Sequence, residues 1–136
     1  MNLEIYWKDA ISFDEYMKIA EFRTENPDPN DHYNDYYALG LQRMNRALKT
    51  FKLDGQQLET LESKKFNGKI LIISEPWCGD ASTTLPVVSG FFDAGGIQVK
   101  IYLRDKDTTL IDQFLTNGSQ SIPKILIRSE EHTSEL

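Results

Sequence analysis

The feature that most constrains the fold is a short, continuous apolar run, Ile-Leu-Ile-Ile, at residues 70–73. Its β-branched residues and its lack of polar alternation are typical of a β-strand that is buried on both faces. Strands of this kind occur in sheets that are covered by helices on each side, so the rest of the chain must supply those helices. The run is also far shorter than the roughly 20 apolar residues that cross a bilayer.

After this run, helical and strand-like patterns alternate. Residues 81–92 predict a helix, residues 99–103 a second strand, residues 108–117 another short helix, and residues 124–127 a third strand. This order predicts an α/β fold with a right-handed crossover and a parallel first pair of strands.

The first half of the chain has helical patterns. A capping box at residues 12–15 predicts a helix over residues 13–24, and the prolines within residues 26–30 end it. A third short helical segment begins near residue 54. Between them, an apolar stripe with helical spacing predicts a long helix; its members are Tyr37, Leu41, Met44, Leu48 and Phe51.

Two side-chain clusters on the long helix suit either a structural or a binding role. Four basic residues lie off the apolar stripe near the helix C-terminus, where cations complement the helix dipole, and we expect an ordinary solvated face. Three tyrosines would suit a ligand platform, but aromatic residues at helical spacing more often form core or lid, and we expect that role. The two sets are Arg43, Arg46, Lys49 and Lys52, and Tyr33, Tyr36 and Tyr37.

Length and charge exclude several classes of protein. The chain has 136 residues, which suits one domain, and a net charge of −6 with no cluster of Lys and Arg, so we expect no nucleic-acid partner. The N-terminus lacks the basic start and apolar stretch of an export signal, and a single cysteine cannot form an intrachain disulfide. We therefore expect a cytoplasmic protein with no membrane association.

That single cysteine, Cys78, follows the buried strand at the start of the next helix. Unpaired amides and the positive end of the helix dipole stabilise a thiolate at such a position, and a thiolate is a nucleophile. Glu75 and Asp80 place negative charge nearby, which favours the protonated thiol. A buried structural cysteine is the alternative interpretation, and these residues alone do not decide between the two.

Trp77-Cys78-Gly79 lies between an apolar strand and a helix. This arrangement resembles the active-site start of the thioredoxin-like superfamily. Pro86 matches the proline that kinks the family's active-site helix. The Ser-Ile-Pro segment at residues 121–123 matches the family's cis-proline loop, which packs beside the cysteine and pairs with the backbone of a bound partner.

The resemblance covers about residues 69–127 and implies a thioredoxin-like fold. The chain is similar to bacterial thioredoxin-like proteins that carry a helical N-terminal extension. We expect residues 1–66 to be that extension, packed on the core, and residues 67–127 to be the thioredoxin-like core.

Two departures from the family pattern limit the function that the resemblance implies. The second, resolving cysteine would stand at Ala81, and the family's buried acid would fall at Ile72. The resemblance therefore implies a monothiol redox protein that forms mixed disulfides through Cys78 as the catalytic residue. It would use no cofactor apart from glutathione as a co-substrate. Five residues would orient the partner: Trp77, Gly79, Asp80, Ile122 and Pro123.

The alternative function is a non-catalytic module that recognises a peptide or protein in the same groove. Neither interpretation involves a metal, since no zinc or phosphate-loop motif occurs. His32 and His132 offer no partner for a Cys–His pair, and we expect Asp105 and Asp107 to cap a turn rather than bind a cation. The sequence does not indicate an oligomeric state.

The C-terminus suggests an incomplete core. The family fold continues with another strand and a helix after the cis-proline strand, so we expect the core to be truncated and the strand at residues 124–127 to leave an unpaired edge. We expect residues 128–136 to be a non-native tail, because their sequence resembles the translation of a sequencing-adapter oligonucleotide.

Overall fold

Four helices precede a β-α-β unit and two further strands, and together they form an α/β fold. A computed structural model describes residues 3–63, 68–129 and 133–135. Within them it forms five α-helices and four strands: α1 (Glu4–Asp9), α2 (Phe13–Glu25), α3 (Asn34–Thr50), α4 (Gly55–Ser63), β1 (Gly68–Ser74), α5 (Gly79–Ala94), β2 (Gln98–Leu103), β3 (Lys124–Ser129) and β4 (Thr133–Glu135). In the described part of the chain, no helix is long and apolar enough to span a membrane.

The strands form one mixed sheet in the order β2-β1-β3-β4. β1 pairs with β2 in parallel through the crossover helix α5, which confirms the predicted parallel pair. β3 pairs with the other side of β1 in antiparallel orientation, with Ile72 opposite Ile125. β1 is therefore a central strand that is hydrogen-bonded along both edges.

Both faces of β1 are buried, as the apolar run predicts. Ile70 and Ile72 belong to a cluster with core residues of α2, α3 and α5. Leu71 and Ile73 belong to a second cluster with α1 and the neighbouring residues 110–111. The sequence does not predict α1, whose six residues are too few to show helical periodicity.

The capping box at the start of α2 is confirmed. The Ser12 hydroxyl accepts a hydrogen bond from the Glu15 amide at 3.1 Å, and the Glu15 carboxylate accepts one from the Ser12 amide at 3.3 Å. Just before the box, Ile11 and Ile101 exchange two backbone hydrogen bonds across the outer edge of β2. These hydrogen bonds attach the segment between α1 and α2 to the edge of the sheet.

The apolar stripe of α3 is confirmed in part. Tyr37 and Met44 are buried, but Leu48 is 43% exposed, although the ring of Phe51, three residues further on, lies against Gly90. The closest packing comes instead from Gly40, which faces the turn before Cys78. A Cβ at Gly40 would lie 2.9 Å from the Pro76 carbonyl oxygen.

The predicted helix over residues 108–117 is wrong. The segment contains only a short 3₁₀ turn, Ile111–Gln113. It then makes a tight turn at Asn117 and Gly118, with φ values of 51° and 80°, and this turn brings Thr116 and Ser119 together. Asn-Gly favours this left-handed turn backbone over helix, and the sequence interpretation used Gly118 only as a helix end.

The unpaired edge expected for β3 is also corrected. β3 extends past Ile127 to Ser129, and β4 pairs with its outer edge in antiparallel orientation. The open backbone amides and carbonyls of an edge strand are ready to pair with any extended segment, and the three residues of β4 supply one.

Replacing Gly40 by alanine should destabilise the fold. The new methyl group would press on a backbone oxygen, and such overpacking costs about 1–3 kcal/mol. The higher helix propensity of alanine offsets about 1 kcal/mol of this cost at most. We expect a net decrease in the free energy of unfolding, measured with urea.

Gly55→Ala is the matched control, because a Cβ at Gly55 would meet no atom within 4 Å. It should be neutral or stabilising by up to about 1 kcal/mol. Equal stability changes for the two alanine variants would contradict the close contact between α3 and the Pro76 turn.

Candidate functional site

Cys78 lies where the chain passes from the central strand into α5. β1 ends at Ser74, and the next three residues form a turn. Cys78 then is the N-cap residue of α5, with extended backbone angles. Its amide donates to the Glu75 carbonyl oxygen at 3.0 Å, which closes the turn. Its side chain does not cap the helix, so the thiol is left for other contacts, and the residue is 8% exposed.

The thiol meets the predicted cis-proline loop. It donates to the Ile122 carbonyl oxygen, with 3.7 Å between Sγ and oxygen, across 44 residues of sequence. The Ile122–Pro123 peptide bond is cis, as the resemblance implies. Pro86 lies inside α5, at the position that the resemblance assigns to the kinking proline. The fold thus brings Cys78 and the cis-proline loop together.

Trp77 is held by an aromatic stack and a hydrogen bond. The Tyr33 ring stacks on it with 3.9 Å between the centroids and 6° between the planes. The Trp77 indole N–H donates to the Asp105 carboxylate at 3.0 Å, and the Arg104 guanidinium lies 5.0 Å from the ring centroid. Tyr33 is therefore a half-buried residue that packs on Trp77, whereas Tyr37 is core.

Gly79 and Asp80 are the exposed first residues of α5, and they line a cavity of about 490 Å³ with Cys78. The opposite wall of this cavity, called here the thiol cavity, comes from α3 and the residue before it: Tyr33, Tyr36, Leu39 and Arg43. Arg43 is exposed, as predicted for a solvated face, but its guanidinium also approaches Gly79. A Cβ on Gly79 would lie 3.4 Å from Nη1 of Arg43.

Glu75 is a buried acid that the sequence interpretation treated only as a nearby charge. It is 2% exposed. Its carboxylate accepts a hydrogen bond from the Asp105 amide at 2.8 Å and contacts the Arg23 guanidinium at 3.4 Å. Burial raises the pKa of Glu75 above its ordinary value, because these two partners only partly compensate for the lost water.

Arg23 links Glu75 to a second acid through Tyr37. The guanidinium donates to the Tyr37 hydroxyl at 3.3 Å, and that hydroxyl donates to Asp31 at 2.7 Å. Burial, helped by the bond to Asp31, raises the pKa of Tyr37 to about 12, so its hydroxyl stays protonated. For Asp31, burial acts to raise the pKa, but the Tyr33 amide and the Tyr37 hydroxyl bring it below its ordinary value.

These groups line a second cavity of about 520 Å³, which shares Tyr33 and Trp77 with the thiol cavity. His32 also lines the second cavity and not the thiol cavity, whereas His132 lies outside the described residues. The aromatic stack therefore forms a common wall between the two cavities.

Tyr16 places a second hydroxyl near the end of β1. It lies 3.1 Å from the Ser74 hydroxyl. Burial raises the pKa of Tyr16, and the nearby Cys78 and Glu75 act in the same direction, so the phenol remains neutral. Near Cys78, Tyr16 can thus donate a hydrogen bond but does not serve as a base.

Of the two aspartates expected to cap a turn, Asp107 makes local contacts, and Asp105 also reaches the site. Asp107 accepts hydrogen bonds from the Thr109 amide and the Tyr102 hydroxyl, each at 3.0 Å. Asp105 holds Trp77 and also pairs with Arg104 at 2.8 Å. Asp105 thus belongs to the site, a role that the sequence interpretation missed.

Comparisons with known proteins support the fold. A family model described as "Thioredoxin" matches residues 26–136, so the match includes α3 and α4 as well as the sheet. A solved structure of a Pseudomonas aeruginosa protein of unknown function aligns with a TM-score of 0.66 and 15% identity, covering 93% of this chain and 70% of that one. A search of curated proteins finds no significant match.

The raised pKa of Glu75 predicts a pH-dependent stability. Above its ordinary pKa, near 4.5, the unfolded state releases this proton more readily than the folded state does. Wild type should therefore lose stability relative to Glu75→Gln as the pH rises from about 4.5 towards neutrality. Urea unfolding at a series of pH values measures this difference.

Asp31→Asn is the control for this measurement, because the lowered pKa of Asp31 places its titration below that range. The stability difference between wild type and Asp31→Asn should stay constant from pH 5 to 7. A constant difference for Glu75→Gln as well would show that Glu75 is not buried as a titrating acid.

Proposed function

We propose that this chain, which belongs to the thioredoxin family whose model it matches, carries out monothiol thiol–disulfide exchange through Cys78. The observation that supports this most directly is the position of the thiol. Cys78 lies at the start of α5, and its sulfur contacts the Ile122 carbonyl beside the cis Pro123.

The first step is attack by the Cys78 thiolate on one sulfur of a partner disulfide. A bond forms between Sγ and that sulfur, the partner's S–S bond breaks, and the other sulfur leaves as a thiolate that takes up a proton. The partner's disulfide is the oxidant, and Cys78 becomes part of a mixed disulfide.

The second step needs an external thiol, because position 81 holds a fully buried alanine where a resolving cysteine would stand. Where the partner is a mixed disulfide of glutathione with a protein or peptide thiol, the first step transfers the glutathionyl group to Cys78 and releases the partner thiol. A second glutathione thiolate would then attack the glutathionyl sulfur bound to Cys78, form oxidised glutathione and release the Cys78 thiolate. Glutathione is thus a co-substrate, and the reducing cytoplasm is the compartment that this chemistry suits.

The neighbouring residues have orienting roles in this proposal. Trp77, held by Tyr33 and Asp105, would shield one side of the mixed disulfide from water. Ile122 and Pro123 would align the partner's backbone, while the exposed Gly79 and Asp80 leave room for the incoming group.

A second candidate function is a non-catalytic binding module. The 8% exposure of Cys78 favours it, because a nucleophile must be reached by its substrate. In that case the aromatic walls of the thiol cavity would bind a peptide or protein segment, and the thiol would be incidental.

Incubation with oxidised glutathione, followed by intact mass spectrometry, tests the proposed exchange. Folded wild type should gain one glutathionyl group, and reduced glutathione should remove it. Cys78→Ser should gain none, because Cys78 is the chain's single thiol. If wild type reacts only after unfolding in urea, the exchange function is wrong and the binding module is favoured.

Ala81→Cys should supply the missing resolving step. In this variant the glutathionyl adduct at Cys78 should release glutathione without added thiol, as an intramolecular disulfide forms between positions 78 and 81. Intact mass after blocking of free thiols distinguishes the two species.

Ala81→Ser is the matched control, because it adds a side chain of similar size at the same buried position without a thiol. Its adduct should persist as in wild type. A persistent adduct on folded Ala81→Cys would contradict the assignment of position 81 as the resolving position.

A further inference from the structure

The thiol cavity has walls from two parts of the chain. α5 contributes Cys78 and the residues after it, while the opposite wall comes from α3 and Tyr33. Tyr36 is 54% exposed and Leu39 is also exposed, so part of this wall is apolar surface open to solvent. An entering molecule would therefore touch the N-terminal helices before it reaches the sulfur.

Arg43 is the basic residue of this wall. Among the residues that the structure describes, no ion pair or hydrogen bond engages its guanidinium. Asp80 lines the same cavity but forms no ion pair with it within the described chain. Within that part of the chain, the N–H donors of the Arg43 guanidinium are thus available to a bound acceptor.

Arg43 lies beside the positive end of the α5 dipole. Its Nη1 lies close to Gly79, the first residue of α5, where a helix carries its positive dipole end. The Cys78 side chain does not cap this end, so unpaired amides face the same region. Asp80, in the first turn of α5, partly offsets the dipole, and an anion that reaches the Arg43 guanidinium would interact favourably with both positive sources.

We propose that Arg43 makes the thiol cavity selective for partners that carry a carboxylate close to the reacting sulfur. This inference rests on the proposed function and names its substrate class: an anionic thiol or disulfide, such as a carboxylate-bearing peptide, rather than a neutral or cationic one. This local preference for anions acts against the electrostatic field of the whole protein, because a net charge of −6 repels anions.

The rates at which iodoacetate and iodoacetamide alkylate Cys78 test this selectivity without requiring a disulfide. The two reagents have nearly the same shape and attack the same thiolate, so their rate ratio isolates the effect of the reagent's charge. Arg43→Gln should lower the iodoacetate-to-iodoacetamide ratio about two- to five-fold at low ionic strength, as expected for one exposed ion pair. Added salt should reduce the difference.

Two control variants separate Arg43 from general charge effects. Arg43→Lys keeps the cation and should retain most of the wild-type ratio. Arg46→Gln removes one positive charge from the same exposed helix surface, but Arg46 does not line the thiol cavity, so its ratio should stay unchanged. An equal fall for Arg43→Gln and Arg46→Gln, an unchanged ratio in Arg43→Gln, or no alkylation by either reagent would overturn the inference.

Exchange with oxidised glutathione and with neutral bis(2-hydroxyethyl) disulfide then links the selectivity to the proposed reaction. Arg43→Gln should slow the first two- to five-fold and leave the second unchanged. If alkylation depends on Arg43 but folded wild type reacts with neither disulfide, the anion preference is supported and the exchange function is wrong.

Discussion

The burial of β1 on both faces is the constraint on which the rest of the structure depends. A strand without a polar face needs a helical layer on each side, and the chain meets this need with α5, α2 and α3 on one face and α1 with residues 110–111 on the other. Because β1 is also paired along both edges, its end is fixed in space. Cys78 lies only four residues past that end, so its position is fixed as well.

The N-terminal helices do more than cover the sheet. They supply Arg23, which partners the buried Glu75, and Tyr33, which stacks on Trp77. A carboxylate with so little access to water is costly unless charged or hydrogen-bonding groups surround it. The surroundings of the thiol are therefore built jointly by the helical segment and the sheet. The family match, which begins at residue 26, includes Tyr33 but not Arg23.

The sequence predicts those parts of the molecule that local patterns determine. The apolar run specifies β1, the capping box specifies the start of α2, and the family motifs locate Cys78 and the cis Pro123. Contacts between distant segments leave no such pattern. Nothing local shows that Arg43 approaches Gly79 or that Glu75 meets Arg23, since these pairings depend on how α2 and α3 pack. The turn at residues 117–118 is different, because Asn-Gly was a readable signal of it.

The contact between Cys78 and Ile122 has a consequence for the order of events during synthesis. The thiol gains its carbonyl partner only when a loop 44 residues further along the chain arrives beside it. Until the ribosome has released that loop, only residues synthesised earlier, such as Tyr16 and Ala81 of the same core cluster, can cover Cys78. The contact that completes the surroundings of the sulfur is thus supplied late in synthesis, and a chain that stops before residue 122 would lack it.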